Sequence, residues 1–317
     1  MRLLLLALSM LGMIWSMPSA QAQTCTITRP ATIAFGMVDV LLNTAVDITA
    51  NISVSCTGLA NQTVRVCLNM GDPNTGTVGG NRRALNAANI LLYQFYSDAA
   101  RTVKWSSWKT GGAGVEVLVT LNAAGTTTTP VVRTIYGRVF AGQQTLPTGT
   151  YTANFSGAFT HQRSRYTSTG QLCPAMTAGT LAWNFAMSAV IPAKCVVSSA
   201  TLSFGTPATL TTNIDAQTNI GIACSQSLPY QVQLDGGLSG ATNPTLRRMT
   251  KGAEFVTYGL YRDAARTLPW GMMLGSNTLS GIGNGNSVAT PVYGRVPVQT
   301  TPTPGVYTDT VVITVNY

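Results

Sequence analysis

Six cysteines, a single histidine and two copies of an Asp-Ala-Ala-Arg-Thr segment are the residues of this chain best suited to chemistry. The cysteines are Cys25, Cys56, Cys67, Cys173, Cys195 and Cys224; none form a C-x-x-C pair, and His161 alone cannot complete an ordinary zinc site. Their chemistry is therefore disulfide formation, and no metal or cofactor is expected. Each Asp-Ala-Ala-Arg-Thr segment (residues 98–102 and 263–267) reads as a turn. The Asp would bond backbone amides and pair locally with the Arg three residues on, and Trp105 or Trp270 would pack beneath. With no nucleophile–His arrangement, phosphate loop or paired-carboxylate motif, an enzyme is disfavoured.

The compartment follows from the N-terminus. Arg2, an apolar run from Leu3 to Met17 and the small-residue site Ala20-Gln21-Ala22 have the form of a signal peptide, residues 1–22, cleaved after Ala22. The run is short for a bilayer span of about 20 residues. All six cysteines lie beyond it, and an even count in an oxidising compartment implies three disulfides. The chain has 317 residues, 45% hydrophobic and only 9% charged, against about 25% charged in an average globular protein. That balance excludes a solvated disordered tail and a charged helical bundle. The net charge is +9, heavier on the first half, but the basic residues are scattered apart from Arg82-Arg83 and Arg247-Arg248. A nucleic-acid partner is not expected.

The chain repeats itself. Cys25, Phe35-Gly36 and Cys56 return as Cys195, Phe204-Gly205 and Cys224; Tyr136-Gly137-Arg138-Val139 returns as Tyr293-Gly294-Arg295-Val296, and Gly149-Thr150-Tyr151 as Gly305-Val306-Tyr307. Each copy alternates apolar and polar residues in short runs rich in Val, Ile, Thr and Tyr, separated by Gly, Pro and Asn. The expectation is an all-β protein: two immunoglobulin-like β-sandwiches in tandem, residues 23–192 and 193–317. The repeated pairs give Cys25–Cys56 and Cys195–Cys224, leaving Cys67–Cys173 by elimination.

Between the copies, Leu181, Trp183, Phe185, Met187, Ala189 and Ile191 place six apolar side chains on one face of an extended strand, residues 180–191. A flexible linker would not carry this pattern. The first copy would use it as its last strand. The second copy stops at Tyr317 and lacks an equivalent, so it should expose an acceptor edge built from Tyr307, Val311, Ile313, Val315 and Tyr317. After cleavage only Gln23 and Thr24 precede Cys25, so the chain would accept a strand and have none to offer, which places it at the end of any polymer built by strand donation.

The cysteine frames, the Phe-Gly pairs, the Tyr-Gly-Arg-Val strands and the terminal Gly-x-Tyr-x-Asp-x-Val-x-Ile-x-Val-x-Tyr resemble spore coat protein U domains, subunits of archaic chaperone–usher pili. The resemblance spans the mature chain and is nearest to the tip adhesin of such a system. It implies a periplasmic chaperone, an outer-membrane usher, a next subunit donating a strand, and attachment to an abiotic or host surface in biofilm formation. A secreted coat or matrix protein built from the same domains is the alternative. The extra loops of the first copy, 97–114 and 161–179, would share an outward pole and offer Trp108, Tyr166, Leu172 and Met176 as surface contacts.

Overall fold

The computed structural model describes residues 22–157, 160–177 and 180–317; the signal peptide expected at 1–22 lies almost wholly outside them. Two hydrophobic cores organise the chain, one drawn from residues 25–191 and the other from 195–315.

The first core lies between two sheets. Its strands are β1 (Thr24–Thr28), β2 (Thr32–Met37), β3 (Val46–Thr57), β4 (Thr63–Met70), β5 (Thr77–Val78), β6 (Asn81–Asn86), β7 (Asn89–Tyr96), β8 (Val115–Thr120), β9 (Val131–Val139), β10 (Gly149–Phe155), β11 (Thr160–Tyr166), β12 (Leu181–Ala182) and β13 (Phe185–Ile191). One sheet runs β1-β3-β9-β7-β6-β10-β13-β2, with β5 on β6, and the other β12-β11-β4-β8. Alternation decides which residues enter: Ile52, Val54 and Cys56 of β3 meet Val64, Val66 and Leu68 of β4.

The second core repeats this plan with β14 (Cys195–Ser198), β15 (Ile214–Cys224), β16 (Pro229–Leu234), β17 (Arg247–Lys251), β18 (Glu254–Tyr261), β19 (Leu279–Ile282), β20 (Ser287–Val296) and β21 (Ile313–Asn316). Its sheets run β14-β15-β20-β18-β17 and β19-β16-β21. The first of these matches β1-β3-β9-β7-β6 strand for strand. The chain is thus two β-sandwiches in tandem. Disulfides join Cys25 to Cys56, Cys67 to Cys173 and Cys195 to Cys224. The repeated pairs each tie the first strand of a copy to its neighbour, Cys25 opposite Cys56 and Cys195 opposite Cys224.

The Asp-Ala-Ala-Arg-Thr turns form as expected in one respect and differ in another. Asp98 accepts from the amides of Thr102 and Val103, and Asp263 from those of Thr267 and Leu268. The Arg does not pair with that Asp. Arg101 reaches Asp47 at 3.2 Å, and Arg266 reaches Asp215 at 3.2 Å, on β3 and β15. The reason is geometry: Arg101 and Arg266 sit at positive φ (57° and 60°), closing the turn, while Asp98 and Asp263 are already saturated by amides. Arg138 and Arg295 add bidentate bonds at 2.7 and 2.8 Å to the same carboxylates.

Candidate functional site

The strand β13 shows what its seat in the first domain requires. It pairs antiparallel with β10 from Gly149↔Ile191 to Phe155↔Phe185, and parallel with β2 through Met187↔Ile33. Phe185, Met187, Ala189 and Ile191 are buried, and the Phe185 ring stacks on Phe155 at 4.4 Å. Trp183 is buried too, its indole donating to Asn69 O at 3.1 Å. Under this strand Ile33, Phe35, Tyr151 and Phe155 are all buried.

Leu181 departs from the expected face. It is 53% exposed, because the segment 180–191 is two strands rather than one. β12 pairs with β11 in the opposite sheet, and the chain crosses between sheets at Trp183 and Asn184 before β13 begins. Alternation is interrupted at that crossing, so Leu181 ends outside.

The same seat in the second domain is an open groove of about 400 Å³. The hydroxyl of Tyr151 donates to Pro147 O at 2.9 Å, and that of Tyr307 to Thr303 O at 2.8 Å, which aligns the two copies. Thr308 bridges Thr250 on β17 as Thr152 bridges Leu85 on β6. On the far side of 305–311, no strand among the described residues takes the place of β13. Leu202, Phe204, Tyr307 and Val311, counterparts of Ile33, Phe35, Tyr151 and Phe155, line the groove and are only half-buried.

Three acceptor-edge residues need different descriptions. Tyr307, Val311 and Ile313 line the groove, but Ile313 and Val315 belong to β21, which pairs with β16 in the other sheet through Leu234↔Ile313 and Val232↔Val315. Tyr317 is 59% exposed and does not line the groove. The expected continuous strand 307–317 is instead an extended edge, 305–311, followed by a change of sheet; a single strand cannot serve both sheets.

Electrostatics hold this edge in place. The single Tyr307 hydroxyl proton is shared between Thr303 O and Glu254, 2.9 Å away, and bonds from Thr303 and then Tyr307 hold the Glu254 carboxyl below its usual range. Tyr258 donates to Asp309 at 2.7 Å, and burial, reinforced by that bond, pushes its phenol strongly upward.

The expected surface contacts are not one surface. Met176 is 1% exposed and packs with Cys67, Cys173 and half-buried Trp108 in a small satellite core, so it cannot contact an outside surface as built. Tyr166 is half-buried, and its hydroxyl accepts from Leu59 N at 2.8 Å. Tyr166 pairs with Val64 while Trp108 N bonds Asn69 Oδ1 at 2.9 Å. These are opposite ends of β4, about 17 Å apart at about 3.4 Å per residue. Tyr166 therefore stands apart from Trp108, while the two loops meet farther along, where Trp108 packs on Cys173 and Met176. Leu172 is exposed.

Two residues escaped the sequence reading. Arg82 and Arg247, each the first of an Arg-Arg pair, are fully buried. Arg82 donates to the carbonyls of Met70, Gly71 and Trp105, and Arg247 to those of Leu234, Asp235, Pro244 and Trp270. The signal was available: the pairs recur at the same offset as Trp105 and Trp270.

The comparisons agree with this duplicated architecture. Protein U of Myxococcus xanthus is 30% identical over 156 residues, covering 44% of this chain and 87% of that protein. In the solved structure of the CsuC–CsuE chaperone–tip adhesion subunit pre-assembly complex, from archaic chaperone-usher Csu pili of Acinetobacter baumannii, one chain superposes with a TM-score of 0.57. It is 18% identical, and the match covers 93% of this chain and all of that one. The Spore Coat Protein U domain matches residues 15–156 and 181–314. The second match begins at β12 and runs through β13 into the second core. With two matches that together span most of its length, the chain belongs to the spore coat protein U domain family.

Proposed function

We propose that this protein is the tip subunit of an archaic chaperone–usher pilus, and that it mediates surface attachment and biofilm formation. One observation carries the reading. Positions that β13 buries in the first domain are half-buried around an open groove in the second. A sandwich with that much apolar surface and an unpaired edge takes up an extended strand from another chain. A periplasmic chaperone would fill the groove first, and another subunit would replace it at the outer-membrane usher. The likeness to the Csu tip adhesion complex supports this scheme, and three disulfides suit assembly in an oxidising compartment. The protein is then structural rather than enzymatic. Residues 23–192 form the distal domain and 193–317 the domain completed in trans. Leu172, which is exposed, remains a contact residue for the surface.

Thermal unfolding of the mature chain tests this, with the second domain followed at Trp270. A panel of peptides patterned on residues 181–191 serves as donors. A peptide at a hundredfold excess over its Kd adds about 2.7 kcal/mol, roughly 10 °C for a domain of this size. If no peptide moves the transition and the second domain already melts with the first, the groove is not an acceptor.

A further inference from the structure

The open groove repeats the backbone of the β13 seat but not its chemistry. Two residues beyond the aligned tyrosines, the first domain has Ala153 and the second has Asp309. Ala153 pairs with Met187, which is fully buried over it. Nearby, the buried hydroxyl of Tyr93 has no hydrogen-bond partner among the described residues. In the second domain the Tyr93 counterpart, Tyr258, donates to the Asp309 carboxylate at 2.7 Å, and the amides of Leu238 and Thr310 bond it at 2.7 and 2.8 Å. A Cβ on Gly237 would collide with that carboxylate, so its position is set from behind. The guanidinium of Arg247 spends its bonds on four carbonyls. Asp309 lines the groove. Four residues beyond the tyrosines, Val311 replaces Phe155, so the aromatic stack that receives Phe185 is gone as well.

We propose that Asp309 makes the second groove select a donor strand bearing a small or hydroxyl residue opposite it, and reject one that brings methionine there as β13 does. The inference rests on the strand-acceptor reading above and names the partner's chemistry. Two physical effects point the same way. Aspartate in place of alanine puts a larger, charged side chain at the position that pairs with Met187 in the first domain. A thioether also removes water from a carboxylate without returning a hydrogen bond, whereas a serine or threonine hydroxyl donates one. On apolar area alone methionine would win, so a reversed order is diagnostic. The consequence is specificity by exclusion: a second copy of this chain, offering its own 181–191 segment, is a poor partner, and a strand of another sequence is a good one.

The test titrates the mature chain with two peptides, residues 181–191 unaltered and the same peptide carrying Met187→Ser. The serine peptide is expected to bind roughly tenfold tighter or more. On an Asp309→Ala chain the order should equalise or invert. An Asp309→Asn chain, which keeps the shape and an acceptor oxygen, should narrow the gap if the alanine variant fails to fold. Methionine binding as tightly as serine to the unaltered chain overturns the proposal and leaves strand acceptance standing. Failure of both peptides to bind overturns both.

Discussion

Arg82 and Arg247 give up hydration to cap backbone carbonyls at the point where each sandwich turns from one sheet toward the other. Burial brings the Arg82 guanidinium down to about 10, still charged at neutral pH. Arg82→Met should therefore cost about 3–5 kcal/mol, since it strands several buried acceptors. Arg82→Lys should recover only part, because one ammonium cannot replace a planar fork. Urea unfolding of the mature chain measures both. Asp47 and Asp215 behave differently, being about one-third exposed. Hydrogen bonds from Arg138 and Arg295 hold them below the usual 3.8. Their contribution is thus complete above that value and is lost as pH falls through the depressed folded values. Asp47→Asn should cost about 0.5–1 kcal/mol at pH 7, and the gap to the unaltered chain should narrow as pH falls below 3.8 in the same unfolding assay.

The strand β13 carries more of the first core than its length suggests. Phe185 touches Phe95, Phe155 and Trp183, so Phe185→Ala should cost about 3–5 kcal/mol. Leu181→Ser, six residues upstream of Met187 and outside the core, should change stability by less than about 0.5 kcal/mol. Equal losses from the two substitutions would show that β12 is not the exposed edge described above. The apolar alternation at 183, 185, 187, 189 and 191 was legible in sequence because a strand has period two. The switch of sheets at Asn184 was not, since pairing partners distant in the chain decide it, Gln162 for Leu181 and Phe155 for Phe185. The same reason separates Tyr307 and Val311, which line the groove, from Val315 and Tyr317, which share their parity but follow a second switch.

Between the domains, Lys194 pairs with Asp39, Pro147 bridges Gln226, and Gly285 lies against the Gln144 carbonyl. Gly285 has a φ of +78°, so Gly285→Ala should cost the second domain about 1 kcal/mol and also push the two domains apart. Small-angle scattering should show a larger radius of gyration while the first-domain melt stays unchanged; an unaltered radius would mean that this contact does not hold the joint. At this scale the sequence determined the duplication, the β class, the three disulfide pairs and the existence of a strand with a groove to fill. All of these follow from periodicity and from residues repeated in order. Only the tertiary structure decided which sheet each end of that strand joins, that Met176 is core rather than surface, and that Trp108 and Tyr166 stand at opposite ends of β4. It alone placed the Asp309 carboxylate in the groove, bonded by Tyr258. Local pattern tells which face of a strand is apolar, but which neighbour covers that face is set by long-range pairing, and spacing along the chain does not carry it.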